Sequence, residues 1–192
     1  MNLAKTEPIK SKKILATMNY QGRIIGSFFF GLVICSVLIE EEFSFSWLFI
    51  IFQGLLWPHI GYMLCKISKD SNKAEYRNLL IDSFFFGLWI PILSFKIIPA
   101  SCGIISGSVN NAYSGGFKFV IKGLLFNLLG ILTGVLLIGR IEFIIESSIS
   151  TTVIFAVCQI LYTTMVGIRG NIQSNLLIKK KYDLAQAEQD KG

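Results

Sequence analysis

The sequence has few charged residues and a single histidine, and these shortages bear on what class of protein it is. Only 16% of its 192 residues are charged, compared with about 25% in typical soluble proteins. Its four cysteines show no CxxC or other metal-ligand spacing, and no GxxxxGK[ST] phosphate-binding loop occurs. An ordinary cytosolic enzyme, a disordered chain and a secreted disulfide-rich domain are therefore not expected.

What the sequence contains instead is a succession of apolar runs, with 53% hydrophobic residues and a mean hydropathy of +0.60. A helix needs about 20 predominantly apolar residues to cross a bilayer. Six runs are candidates for such helices: 22–39, 47–65, 78–95, 97–113, 118–138 and 149–168. The third run carries Asp82 and Pro91, and the fourth is rich in small and polar residues, so hydropathy alone does not decide whether these two cross.

The positions of the basic residues favour six crossings with both termini in the cytoplasm. In that topology sixteen of the 18 Lys and Arg lie in the two tails and the inner loops, and only Lys96 and Arg140 lie outside. Cytoplasmic loops of membrane proteins carry such an excess of Lys and Arg. The net charge of +6 therefore indicates topology and attraction to the inner leaflet, and no nucleic-acid partner is expected.

This topology predicts an all-α, polytopic membrane bundle of six transmembrane helices, with the lipid bilayer as its surroundings. It divides the chain into a basic cytoplasmic tail (1–21), a six-helix membrane domain (22–168) and a cytoplasmic connector helix (169–192). The first run is predicted to be a membrane anchor, since it lacks the small-residue cleavage site of a signal peptide.

Three pairs of glycines stand one helical turn apart within the runs: Gly22 and Gly26, Gly103 and Gly107, Gly130 and Gly134. Glycines with this spacing lie on one helix face and allow two membrane helices to approach closely. We expect them to pack helices within the chain, with dimerisation as the alternative.

The ionisable residues inside the runs are the best candidates for a sensory or ligand site. An α-helix rises about 1.5 Å per residue. Counted from the cytoplasmic ends of their helices, His59 and Asp82 therefore lie at similar depth in the inner leaflet, on consecutive antiparallel helices. Ionisable groups at that depth are costly unless they pair or face a cavity. We expect His59 and Asp82 to hydrogen-bond to each other, directly or through Asn110 or Asn111. Such a layer would be either a polar clamp that fixes helix register or a ligand or proton-sensing site.

Two further residues complete the candidate set. Trp57 lies two residues before His59, where a packing role is favoured, and Arg77 at the start of the third run can reach lipid phosphate. We predict no catalytic residue, no metal ligand and no cofactor.

Three stretches resemble a known family. WPHIGYML (57–64), KAEYRNLLID (73–82) and NNAYSGG (110–116), in this order, are similar to the membrane-associated sensor domain of the second type (MASE2-like). The similarity is densest over 55–125. That family is found at the N-terminus of bacterial diguanylate cyclases and some class III adenylate cyclases.

The resemblance implies a sensory input module in the bacterial inner membrane. Such a module passes a membrane or ligand signal through the connector helix to a cytoplasmic nucleotide cyclase, in cyclic di-GMP or cAMP signalling. The implied partners are a cyclase, in cis or in trans, and a second copy in a homodimer.

The chain itself carries no cyclase signature. No Gly-Gly-Asp-Glu-Phe motif occurs, and Gly115-Gly116-Phe117 lacks the acidic pair. We therefore expect no enzymatic activity from the chain alone. The alternative function is a small transporter or channel that uses the inner-leaflet polar layer as its pathway.

Overall fold

The computed structural model describes residues 9–39, 45–139, 143–144 and 147–189. Within these ranges all regular structure is helical, which confirms the predicted all-α class. In chain order the elements are α1 (Ile9–Leu38), α2 (Phe45–Ile51), a π-helical turn (Phe52–Leu56), α3 (Trp57–Ile67), α4 (Ser71–Ile92), α5 (Ile97–Ile138) and α6 (Ile149–Gln189). The ends of the predicted tails, 1–8 and 190–192, and Arg140 in the predicted outer loop lie outside the described residues.

The segments α2, the π-helical turn and α3 form one continuous helix whose hydrogen bonding changes just before Pro58. Proline has no backbone N–H, and its ring crowds the carbonyl four residues earlier in a regular α-helix. The wider turn at Phe52–Leu56 relieves this conflict. Gln53 and Trp57 are both buried, and Gln53 Oε1 accepts a hydrogen bond from Trp89 Nε1 of α4.

Helix α5 is a hairpin of two arms, 97–115 and 117–138, that reverses at Gly116. Gly116 has φ of 68° and ψ of −169°, a conformation that only glycine adopts without strain. The Asn111 side chain fills the space beside Gly123, although these residues would be about 18 Å apart in a straight helix. The predicted runs 97–113 and 118–138 therefore correspond to the two arms.

Helix α4 packs against both arms of this hairpin through small residues. Phe86 lies against Gly103 and Gly107 of the first arm. On the second arm, Asn127 approaches so closely that a Cβ on Gly87 would overlap its backbone carbonyl. Close backbone approach of this kind gives membrane helices the packing energy that holds them together.

An apolar core occupies the half of the bundle remote from Gly116. Its buried members are Phe30, Val33, Ile34, Val37, Leu38, Ile50, Trp89, Leu93, Cys102 and Cys158. Five of these belong to α1, so this helix contributes the largest apolar face to the core.

Four segments of the described chain are long and apolar enough to cross a membrane: Asn19–Leu38, Phe45–Ile67, Ile97–Ile138 and Ile149–Ile172. Helix α4 is not among them, since it carries Lys73, Glu75, Arg77 and Asp82. The outward side chains of the four segments are predominantly large and hydrophobic, as a lipid-facing surface requires.

The close contact between α4 and α5 can be tested with one added methyl group. A Cβ on Gly130 would overlap the backbone carbonyl of Phe84, whereas the Cβ position of Gly31 in α1 has nothing within 4 Å. We expect Gly130→Ala to lower the free energy of unfolding by about 1–3 kcal/mol through overpacking. Gly31→Ala should leave it unchanged or raise it by up to about 1 kcal/mol, since alanine is the better helix former. Denaturant unfolding in detergent micelles measures both, and equal effects would contradict the packing described.

Candidate functional site

A cluster of buried ionic and polar side chains lies two turns along α1 from the apolar core. We call Arg23, Trp57, Cys65, Glu75 and Asp82 the ionic cluster. Arg23 Nε donates to Asp82 Oδ2 at 2.8 Å, and Arg23 Nη2 donates to Glu75 Oε1 at 2.8 Å. The exposed fractions of Arg23, Glu75 and Asp82 are 5%, 0% and 8%, so the two ion pairs are buried.

Helix α4 presents both carboxylates because of their spacing. Glu75 and Asp82 are separated by about two helical turns, with Asn78 between them on the same face. The start of the helix is set by Asp70, whose Oδ1 accepts hydrogen bonds from the backbone N–H groups of Asn72 and Lys73, both at 3.1 Å. This N-cap satisfies two backbone donors that a helix start leaves without partners.

Helix α3 provides the opposite wall through residues one turn apart, Trp57, Gly61 and Cys65. Trp57 Nε1 donates to Asp82 Oδ1 at 2.5 Å, and Cys65 Sγ donates to Glu75 Oε2 at 3.1 Å. The Gly61 carbonyl accepts from Asn78 Nδ2 at 2.8 Å. Both oxygens of each carboxylate thus have a partner.

The electrostatics of the cluster favour a fixed arrangement. Burying an ion costs several kcal/mol, which is offset only when partners and hydrogen bonds are well placed. One guanidinium serves two carboxyl groups here, so loss of Arg23 would leave both without a cation. The adjoining cavity, lined by Asp82, Asn110 and Asn111 among others, has a volume of about 30 Å³. A space of that size accommodates roughly one or two water molecules, and no organic ligand.

The predicted hydrogen bond between His59 and Asp82 is wrong. His59 is exposed and its Nδ1 lies 2.9 Å from the Tyr20 hydroxyl, whereas Asp82 is bonded to Arg23 and Trp57. Residues two apart on a helix point to nearly opposite sides. Because Trp57 faces α4, His59 faces away from it.

The other predicted polar residues divide between the cluster and its edges. Trp57 is a member of the cluster, and Asn110 lines the small cavity beside it. Asn111 is buried and donates to Ser83 Oγ at 2.9 Å. Arg77 is exposed and lies in a separate open groove.

The predicted packing glycines face neighbouring helices within the chain. Gly103 and Gly107 lie against Phe86 of α4. Gly130 lies against the α4 backbone, and Gly134 lies against Pro91 of the same helix. The third pair faces α6: Arg169 covers Gly22, and the Tyr162 ring covers Gly26. The Tyr162 hydroxyl also donates to the Ser106 carbonyl at 3.3 Å.

The sequence interpretation missed Arg23, Glu75 and Cys65. Two signals were available: Arg23 stands within the first apolar run, and Glu75 precedes Asp82 by two helical turns. A cation inside an apolar run requires an acidic partner on another helix.

A helical bundle with apolar outer faces and buried ion pairs defines an all-α, membrane-associated protein. Residues 18–105 match the family model of the MASE2 domain, which confirms the predicted resemblance. A domain of this type is a membrane-associated sensory domain and is not itself catalytic. No curated protein and no solved structure matches the chain.

The matched residues contain the whole ionic cluster. Two of the three motifs that carry the resemblance, 57–64 and 73–82, face each other across it, and Arg23 joins them from α1. The third motif, 110–116, lies beyond the match and forms the turn of the α5 hairpin.

The contribution of the ion pairs to stability can be tested by removing either the Arg23 charge alone or all three charges. Arg23→Met leaves two buried carboxyl groups without their cation, and we expect it to lower the free energy of unfolding by about 3–5 kcal/mol. Adding Glu75→Gln and Asp82→Asn removes the stranded charges at nearly constant volume and should restore more than half of the loss. The exposed Arg77→Gln serves as control, with an expected change within about 0.5 kcal/mol. Denaturant unfolding in micelles gives these values, and a triple variant as unstable as Arg23→Met would contradict the charge explanation.

Proposed function

We propose that the chain is a sensory and signal-transducing input module of the bacterial inner membrane. It passes a membrane or ligand signal through α6 to a cytoplasmic nucleotide cyclase, in cis or in trans, and works as a homodimer. The MASE2 match over 18–105 supports the sensory role. The connection of α6 to the ionic cluster through α1 is the observation that carries the proposal.

The length of α6 suits an output element. At about 1.5 Å per residue, its 41 residues span about 60 Å, roughly twice the hydrocarbon thickness of a bilayer. Its apolar part ends at Ile172, and the helix continues to Gln189. A rigid helix that leaves the membrane in this way can transmit a rotation or shift of the bundle to a domain beyond it.

The contacts of α1 connect this helix to the ionic cluster. Arg23 belongs to the cluster, while its neighbour Gly22 and Gly26 one turn away are covered by Arg169 and Tyr162 of α6. A change in the pairing of Arg23 therefore displaces the surface on which α6 rests. A stimulus shifts this equilibrium only if it binds the two arrangements with different affinity.

The proposed module crosses the membrane six times, with both termini cytoplasmic. The two arms of α5 fold back on each other at Gly116, so each can cross separately. Helix α4, with 22 residues, is about 33 Å long, and its carboxylates are paired inside the bundle. The positive-inside distribution of Lys and Arg supports this orientation.

Cysteine labelling tests the topology. Lys96→Cys lies in the turn between α4 and α5, and Lys118→Cys lies just after Gly116. We expect a membrane-impermeant maleimide to label Lys96→Cys in intact spheroplasts and Lys118→Cys only after permeabilisation, because the two positions lie on opposite sides. The unaltered chain is the control, as three of its free cysteines are buried and the fourth is half-buried. Equal labelling of both variants in intact spheroplasts would contradict six crossings.

A cyclase reporter tests transduction. With a diguanylate cyclase domain fused after Gly192, we expect Gly26→Val to change cyclase activity about fivefold or more, because the new side chain meets the Tyr162 ring at 3.1 Å. Gly31→Val is the matched control, since nothing lies within 4 Å of its Cβ position. Membrane abundance and thermal unfolding are measured for both. Unchanged activity in a folded Gly26→Val fusion would argue against transduction through this contact.

The transporter alternative receives no support from the polar layer. The cavity beside the ionic cluster has a volume of about 30 Å³, and both carboxylates next to it are engaged by Arg23. The arrangement suits a clamp between helices better than a pathway for solutes.

A further inference from the structure

The turn between α3 and α4 forms a second polar surface, which we call the basic groove. It is an open groove of about 530 Å³ lined by Ser68, Lys69, Asp70, Lys73, Tyr76 and Arg77. The three basic side chains are exposed, and none forms an ion pair within the part of the chain that the structure describes. The groove therefore presents three cations to a ligand.

The nearby acidic residues do not cancel this charge. Asp70 uses Oδ1 to cap α4, accepting from the backbone of Asn72 and Lys73, and it leaves the groove with a net charge of two positive units. Glu75 is fully buried on the other face of α4, where it pairs with Arg23. The next turn of the helix thus adds no anion to the groove.

The wall of the groove is held in place by the α5 hairpin. The Tyr76 hydroxyl donates to the Ser114 carbonyl at 3.2 Å, and its ring packs on Phe119 with 5.1 Å between the ring centroids. Lys73 and Arg77, one turn apart on the same side of α4, flank Tyr76. A groove attached to two helices is already organised before a ligand arrives.

We propose that the basic groove binds the phosphate headgroup of an anionic phospholipid of the cytoplasmic leaflet. Arg77 offers a planar fork of donors that matches phosphate oxygens, while Lys69 and Lys73 add point charges. In the topology proposed above, on which this inference rests, the groove lies at the cytoplasmic membrane surface. Basic pockets at that level are suited to anionic lipid headgroups.

The apolar surface next to the groove favours a lipid over a free phosphate ion. Helix α3 leads directly into Ser68, and its last turns expose Met63 and Ile67, with exposed fractions of 63% and 78%. An acyl chain can lie along these side chains while the headgroup occupies the groove. A free phosphate would gain nothing from them.

Lipid titration of the full chain tests the proposal. The chain in detergent micelles is titrated with phosphatidylglycerol or phosphatidylcholine, and bound lipid is counted by native mass spectrometry. We expect a preference for phosphatidylglycerol that weakens about tenfold or more in the Lys73→Gln/Arg77→Gln variant, given the loss of two headgroup charges. Lys118→Gln/Lys122→Gln removes the same charge from exposed residues of α5 outside the groove, and it should keep the preference. The charge-preserving Lys73→Arg/Arg77→Lys variant should keep most of it.

Three outcomes would overturn the proposal. If both glutamine double variants lost the preference for phosphatidylglycerol equally, the lipid would be attracted to basic surfaces in general and not to the groove. Displacement of the lipid by millimolar inorganic phosphate would assign the groove to free phosphate. Equal binding of phosphatidylcholine would remove the role of headgroup charge. Because binding is measured without a signalling readout, failure here leaves the proposed transduction standing, and unfolding curves of each variant verify its fold.

Discussion

The ion pairs that Arg23 forms with Glu75 and Asp82 are the interaction on which the arrangement of α1, α3 and α4 depends. In an apolar interior an unpaired charge costs several kcal/mol, so the three side chains are stable there only together. Trp57 and Cys65 complete the bonding of the two carboxylates from α3. The cluster thereby determines how these three helices are rotated against one another.

The rest of the bundle is held by contacts of a different kind. Lipid is as apolar as the helix faces, so the hydrophobic effect does not drive helices together within the bilayer, and close packing has to do so. Gly87 and Gly130 let the backbones of α4 and the second arm of α5 touch. The ionic cluster gives α4 its orientation, and the glycine contacts join α4 to the hairpin that turns at Gly116.

These two kinds of contact meet on α1. Arg23 points into the cluster, whereas Gly22 and Gly26 form a smooth surface for Arg169 and Tyr162 of α6. A buried ion pair is either formed or broken, since intermediate distances leave both charges without solvent or partner. The structure holds Arg23 in one such arrangement. The proposed transduction requires a second one, in which Arg23 is paired differently, and a stimulus that binds the two with different affinity.

The sequence by itself determined the helical class, because long apolar runs can bury their backbone polar groups only as helices. It did not determine where every helix begins, since α1 starts at Ile9 and α4 at Ser71, before the predicted runs that begin at 22 and 78. It also determined the resemblance to the MASE2 domain, which the match over 18–105 confirms. It did not determine the partners of the polar side chains. His59 and Asp82 lie at similar depth, yet His59 contacts Tyr20 and Asp82 contacts Arg23. Depth follows from position along a helix, whereas contact depends on the rotation of each helix about its axis, and only tertiary packing decided that rotation.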